Sequence, residues 1–87
     1  MTSETTRIAG HTPDAAELMA IIADRFELDA ILTPTSEFTD LGLDSLVLVE
    51  LAVILKRRYG VTVDDDELIV AGTVERVVSL LDGKRVG

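Results

Sequence analysis

The sequence contains no cysteine, no tryptophan and one histidine, and aromatic residues make up only 3% of it. Without cysteine the chain cannot form disulfides or cysteine-based metal sites, so any thiol that it uses must be added to it. The hydrophobic fraction of 47% consists mainly of Leu, Val, Ile and Ala, which favours a small helical core over a β-sandwich. No apolar run is long enough to span a bilayer and no signal-peptide pattern begins the chain, so we expect a cytoplasmic protein.

Basic residues are also scarce, since 8 Lys and Arg stand against 16 Asp and Glu and give a formal net charge of −8. This charge repels nucleic acid and attracts positively charged protein surfaces. The length of 87 residues suits a single domain. A domain near this size buries only about 60–65% of its unfolded surface, so it has little stability to spare.

The first half of the chain predicts one helix and a long loop. Residues 1–11 show no periodicity and are expected to form a flexible tail. A helix is predicted to begin with Thr12 as N-cap and Pro13 at its first position, and to end near Leu28. Its core stripe is Ala15, Leu18, Met19, Ile22 and Phe26.

The pattern breaks over residues 29–43, which contain proline, glycine, threonine and serine. We predict a long loop here, because the helical spacing of apolar residues is lost. Four apolar residues are expected to anchor it in the core: Ile31, Leu32, Phe38 and Leu41. Loops of this length in compact domains are usually functional.

A second helix is predicted from Ser45 to Tyr59, with Asp44 as its N-cap and Gly60 just past its end. The helix is apolar on two faces. The first stripe is assigned to the core and comprises Leu48, Leu51, Ala52, Leu55 and Tyr59. The second stripe comprises Leu46, Val49 and Val53, and its exposure in so small a domain would mark a protein contact.

Two shorter helices are predicted to complete the chain. The third covers residues 64–72, with Asp64 and Glu67 in a capping box and with Leu68 and Ile69 closing the core.

Thr73 is predicted to cap the last helix, which stops at Gly83. The core positions of this helix are Val74, Val77, Val78 and Leu81. The sequence therefore predicts one all-α domain over residues 12–83, followed by a short tail at 84–87. The domain is a four-helix bundle with a long loop between its first two helices and a short third helix.

Ser45 is the strongest candidate for a functional residue, because a helix start offers unpaired N–H groups and partial positive charge to a phosphate ester. The run Phe-Thr-Asp-Leu-Gly-Leu-Asp-Ser-Leu, from Phe38 to Leu46, resembles the attachment site of acyl carrier proteins. Asp44, Ser45 and Leu46 match that family's Asp-Ser-Leu, and the resemblance extends over about residues 18–81. Taken alone, a serine in this position is more often a simple helix-start residue.

The resemblance implies a bundle of acyl-carrier type that has no catalytic activity of its own. A phosphopantetheinyl transferase, using coenzyme A and Mg²⁺, would attach 4′-phosphopantetheine to Ser45, and the new thiol would hold acyl groups as thioesters. Asp44 would help to orient the transferase complex, in addition to its N-cap role. The other implied partners are an acyltransferase or ligase and ketosynthase-type enzymes, and the protein is expected to be monomeric. Neither a metal site, nor nucleic acid, nor a membrane is expected to be involved.

The resemblance also assigns the two faces of the second helix. Leu46, Val49 and Val53 match the partner-facing stripe of the family, while the first stripe matches core and cavity positions. Glu50 matches an acidic contact residue, although a solvated charge on a helix is an equally good explanation of it.

This chain departs from the family pattern in two places, and both bear on the metabolic pathway that the carrier would serve. Fatty-acid carriers continue the second helix with acids where this chain has Lys56, Arg57 and Arg58, and position 47 is valine rather than an acid. The basic residues also suit the helix dipole. As like charges across an interface are unfavourable, the departures favour a discrete carrier of polyketide or other specialised metabolism, including antibiotic biosynthesis. A fatty-acid carrier stays an alternative. The nearest alternative is a peptidyl or aminoacyl carrier of nonribosomal synthesis, but those carriers usually show Gly-Gly-x-Ser where this chain has Leu43-Asp44-Ser45.

Other functional classes fit less well. A serine hydrolase needs a base near Ser45, and the single histidine, His11, lies in the predicted tail. A calcium loop starting at Asp64 would place Ile69 at its sixth position, where glycine is required. An unmodified helical adaptor that uses the apolar face remains the alternative from another class, and modification of Ser45 distinguishes the two.

Overall fold

A computed structural model describes residues 12–85 and contains four helices joined by one long and two short connections. The helices are α1 (Ala15–Arg25), α2 (Ser45–Tyr59), α3 (Asp65–Ala71) and α4 (Val74–Arg85). Over this range there is no strand, and the only β-type pairing is an isolated bridge between Glu37 and Thr73. The predicted all-α fold, with its long first connection and short third helix, is confirmed. The expected N-terminal tail lies outside the described residues, and the domain boundaries stay a prediction.

Helix α1 begins two residues later than the sequence suggested. Its N-cap is Asp14, whose Oδ1 accepts a hydrogen bond of 2.9 Å from the Glu17 N–H, while the Glu17 carboxylate accepts from the Asp14 N–H. The predicted Thr12 cap was wrong because this reciprocal capping box satisfies two backbone donors at once. The Thr12 hydroxyl instead donates to the Asp82 carboxylate of α4 over 3.2 Å.

The ends of the helices also correct the prediction in two places. Helix α1 stops at Arg25 rather than near Leu28, because Phe26 already has an extended backbone. Helix α4 does not stop at Gly83 but continues to Arg85. The Lys84 ammonium forms a 2.9 Å ion pair with Glu67 of α3, which helps to hold this last turn in helical form.

Capping at the other helix ends agrees with the sequence. Gly60 and Gly72 end α2 and α3 in the left-handed conformation. The N–H of Asp64 donates to the Glu67 carboxylate at the start of α3, and the Thr73 hydroxyl accepts from an N–H in the first turn of α4.

The core lies between the four helices and is entirely apolar in the described part of the chain. Its members are Leu18, Ile21, Ile22, Phe38, Leu41, Leu43, Leu48, Leu51, Ile54, Leu55, Val61, Val63, Leu68, Val74, Val77 and Leu81. Two expected core residues are exposed instead, Ile31 at 85% and Ile69 at 49%. Ile31 lies in the loop with no helix packed over it, and Ile69 follows the inward-facing Leu68 by about 100° around α3.

The long loop is fastened to the junction between α3 and α4. The N–H of Phe38 donates to the Gly72 carbonyl over 2.8 Å, and the N–H of Glu75 donates to the Pro34 carbonyl over 2.9 Å. The side chains of Phe38 and Leu41 are buried, as predicted. The segment that leads into α2 is thereby held against the junction between α3 and α4, which helps to fix the start of α2.

Candidate functional site

The start of α2 is set by Asp44, which adopts an extended backbone and caps the helix. Its Oδ1 accepts from the Val47 N–H over 3.0 Å, and its carbonyl accepts from the Leu48 N–H over 3.0 Å. The preceding turn contains Gly42 with φ of +80°, in the left-handed region that favours glycine. The sequence thus places Ser45 in the first helical position, directly after a rigid cap.

The Ser45 side chain is exposed and makes no hydrogen bond to any residue between 12 and 85. The first two N–H groups of the helix, those of Ser45 and Leu46, likewise have no hydrogen-bond partner within that range. Free N–H groups and the positive end of the helix dipole favour an anion bound there. A phosphate ester on the Ser45 hydroxyl would therefore be well accommodated.

A small cleft of about 290 Å³ opens beside Ser45. Its walls include the buried side chains of Phe38, Leu43 and Leu48, and the half-exposed Ile69 of α3 lies at its edge. Sequence reasoning assigned Ile69 to the core and missed its place beside the serine. The signal was weak, because a helix of only 7 residues does not repeat its apolar spacing.

The outer face of α2 presents apolar side chains next to the serine. Leu46 is 78% exposed, Val49 45% and Val53 48%, so the second stripe faces solvent as the sequence predicted. Glu50 is also exposed and lies on the same side of the helix. Exposure alone does not assign a partner, so the contact role of these residues stays a prediction.

The three basic residues at the end of α2 point in different directions. Lys56 and Arg57 line a cleft of about 580 Å³ together with Val49 and Val53 of the exposed face. The opposite wall of this cleft is residues 62–65, and the Lys56 ammonium donates to the Thr62 hydroxyl over 3.1 Å.

Arg58 lies on another side of α2, where it borders a cleft shared with α1. Its neighbour Tyr59 is partly buried there, and burial raises the pKa of the phenol, with the negative charge of Glu17 adding to the rise. Arg58 opposes this rise through its charge and a side-chain hydrogen bond to the phenol. Of the basic run, only Lys56 and Arg57 are therefore neighbours of the apolar face.

Alternative sites receive no support from the described residues. The single histidine, His11, lies outside the described residues. In the range 12–85 no group of three or more acidic or histidine side chains is arranged to hold a metal ion. No helix in that range is long and apolar enough to cross a membrane.

Comparison with known proteins agrees with the geometry at Ser45. A family model described as "Phosphopantetheine attachment site" matches residues 16–81. The acyl carrier protein of Helicobacter pylori is 35% identical over 72 residues, which cover 80% of this chain and 92% of that protein. The acyl carrier protein of Petrotoga mobilis is 38% identical over 68 residues, covering 78% and 74% of the two chains. No solved structure gives a significant match.

Proposed function

This chain belongs to the acyl carrier protein family, and we propose that it holds acyl groups as thioesters on a phosphopantetheine arm attached to Ser45. Domains of this family carry a covalently attached 4′-phosphopantetheine, and they are carriers rather than enzymes. They interact with phosphopantetheinyl transferases and with acyl-handling enzymes. The observation that supports Ser45 as the attachment residue is its exposed hydroxyl at a capped helix start whose first N–H groups are free.

The residues around Ser45 fit the arm. In the transfer, the Ser45 oxygen bonds to the pantetheine phosphorus of coenzyme A, 3′,5′-ADP leaves, and the hydroxyl proton passes to a base of the transferase. The resulting phosphodiester is an anion, and the first turn of α2 offers it the N–H groups of Ser45 and Leu46. Asp44 holds this turn in place through its bond to Val47, which keeps those N–H groups oriented outward.

When attached, the arm supplies a thiol, which the chain itself lacks because it contains no cysteine. A flexible tether keeps the acyl group at high effective concentration near any enzyme that docks on the carrier. The apolar stripe of Leu46, Val49 and Val53 begins next to the attachment point, so we assign it to docking, with Glu50 as an added polar contact.

Loading of the arm tests the proposal. Incubation with a broad-specificity phosphopantetheinyl transferase, coenzyme A and Mg²⁺ should add the mass of one phosphopantetheine to the intact protein. Ser45→Ala should gain no mass, whereas the control Ser79→Ala, at an exposed position on α4, should load like the unaltered chain. An unloaded but folded protein would refute the carrier function and favour a helical adaptor.

We further propose that the carrier serves polyketide or other specialised metabolism. The support is Arg57, which places a cation on the docking face, and Lys56, which lies in the adjoining cleft. Val47 lends less support than the sequence suggested, because its side chain packs against the core. The relatives are named only as acyl carrier proteins and do not distinguish between pathways.

The pathway can be tested with a reconstituted bacterial fatty-acid synthase from which the native carrier has been omitted. The loaded chain should support far less fatty-acid formation than the native carrier at equal concentration. Equal rates would contradict the assignment to specialised metabolism while leaving the carrier function intact.

A further inference from the structure

The docking face of α2 changes the sign of its charge along its length. Glu50 lies five residues after Ser45, and Arg57 follows Glu50 by seven residues, or about 10 Å along the helix axis. Arg57 is four residues past Val53 and eleven past Leu46, so all three lie on one side of the helix. An enzyme that covers this stripe therefore meets a carboxylate near the serine and a guanidinium farther away.

Of the three basic residues at the end of α2, Arg57 is the one that makes no polar contact with a described residue. Within residues 12–85 its guanidinium forms no ion pair and no hydrogen bond, although Asp64 and Asp65 line the same cleft. The neighbouring cations are engaged: Lys56 donates to Thr62, and Arg58 bonds the Tyr59 phenol. In a chain of net charge −8, this cation stands out on an otherwise acidic protein.

The helix dipole alone does not account for the position of this charge. A cation in the last turn of a helix is favourable wherever it lies around the axis, so Arg58 stabilises α2 by the dipole as well as Arg57 does. Of these two arginines, however, only Arg57 lies beside the apolar stripe and its cleft. Lys56 also lines the cleft, but its ammonium already donates to Thr62. Arg58 is therefore a matched control for any effect of the helix dipole.

We propose that the enzyme that docks on this face presents a carboxylate to Arg57. This inference rests on the proposed carrier function, because it concerns the enzymes that receive the arm on Ser45. A carboxylate opposite Arg57 gives a complementary pair, whereas a lysine or arginine there meets a like charge as the apolar stripe is covered. The arrangement selects partners with a mixed-charge docking face over partners with a uniformly cationic one.

The experiment uses a ketosynthase with a lysine-rich carrier-docking face as its probe, together with a variant in which the lysine nearest position 57 is glutamate. The chain is loaded on Ser45 with a pantetheine analogue that bears an α-bromo amide in place of the thiol. The ketosynthase cysteine displaces bromide and cross-links the pair, and the cross-linking rate is followed by gel electrophoresis. The loaded chain should react about fivefold faster with the glutamate variant at low salt, and high salt should remove the difference.

Two carrier variants locate the effect. Arg57→Glu should reverse the preference and react faster with the lysine-faced probe, while Arg58→Glu should retain the preference of the unaltered chain. Equal effects of Arg57→Glu and Arg58→Glu, or no preference between the two probes, would overturn the inference. The mass of the intact carrier, measured before the probe is added, shows whether Ser45 has been loaded. A chain that does not load refutes the carrier function and, with it, this inference.

Discussion

Gly42, three residues before Ser45, should be the glycine whose replacement destabilises this domain most. Its φ of +80° lies in the left-handed region, which costs a side-chain-bearing residue roughly 1–2 kcal/mol. In addition, a Cβ at this position would meet the Asp29 carboxylate, with the Asp29 Cγ only 2.9 Å away. Turning the aspartate out of its rotamer adds about 1 kcal/mol, so Gly42→Ala should lower the free energy of unfolding by about 2–3 kcal/mol.

Two other glycines separate the cost of the backbone conformation from the cost of the contact with Asp29. Gly60 has a similar φ of +71°, but a Cβ there would meet nothing within 4 Å. Gly60→Ala should therefore show only the backbone cost, about 1–2 kcal/mol. Gly83 lies inside α4 with open space around it, so Gly83→Ala should raise the free energy of unfolding by about 0.5–1 kcal/mol.

Urea unfolding followed by far-UV circular dichroism measures all three variants. For a domain of this size, each 1 kcal/mol corresponds to a shift of about 4–8 °C in melting temperature. In an Asp29→Ala background, Gly42→Ala should cost about 1 kcal/mol less than in the unaltered chain, because the displaced carboxylate is absent. Equal losses for Gly42→Ala and Gly60→Ala, with no coupling to Asp29, would show that the packing argument is wrong.

Two further predictions concern the acid sensitivity of the fold and its proposed docking face. The pKa of Glu67 is lowered by the hydrogen bond from the Asp64 N–H and by Lys84. The ionised form of Glu67 therefore stabilises the folded state at any pH above the ordinary pKa of glutamate. This stabilisation is lost as the pH falls through the lowered pKa. Urea unfolding at neutral pH and below that ordinary value should show a smaller acid-induced loss for Glu67→Gln than for the unaltered chain, and equal losses would contradict this assignment. Val49→Asp should slow acyl transfer to a cognate enzyme at least tenfold with little change in melting temperature, since it places a charge on the apolar stripe. Val70→Asp, at a valine of α3 that is 82% exposed against 45% for Val49, is its control, and equal slowing by both variants would count against the proposed docking role of Val49.

Most of the architecture could be predicted because the long helices repeat their apolar spacing several times. Helix α2 has 15 residues, enough to separate an inward stripe from an outward one, and Leu46, Val49 and Val53 are exposed as expected. The N-cap at Asp44 and the left-handed conformation of Gly60 could be predicted from the residue types at the two ends of the helix.

The predicted helix ends were wrong where two local signals competed, or where a contact with another helix determined the end. Thr12 before Pro13 and Asp14 before Glu17 both describe a helix start, and only the geometry of the reciprocal bonds selects the second. The extension of α4 beyond Gly83 involves Lys84 pairing with another helix, and a linear reading of the last residues contains no sign of that pair.

The least predictable part of the site is the short helix α3, and this has a physical cause. Seven residues make only about two turns, so the adjacent Leu68 and Ile69 offer no repeat that tells which of them faces inward. Contacts outside the helix decide instead: the long loop bonds to Gly72, and the Glu67–Lys84 pair fixes the other side. Leu68 is then fully buried, while Ile69 turns to the cleft beside Ser45. The side chain of Ile69 beside the serine is therefore positioned by long-range contacts rather than by helical periodicity.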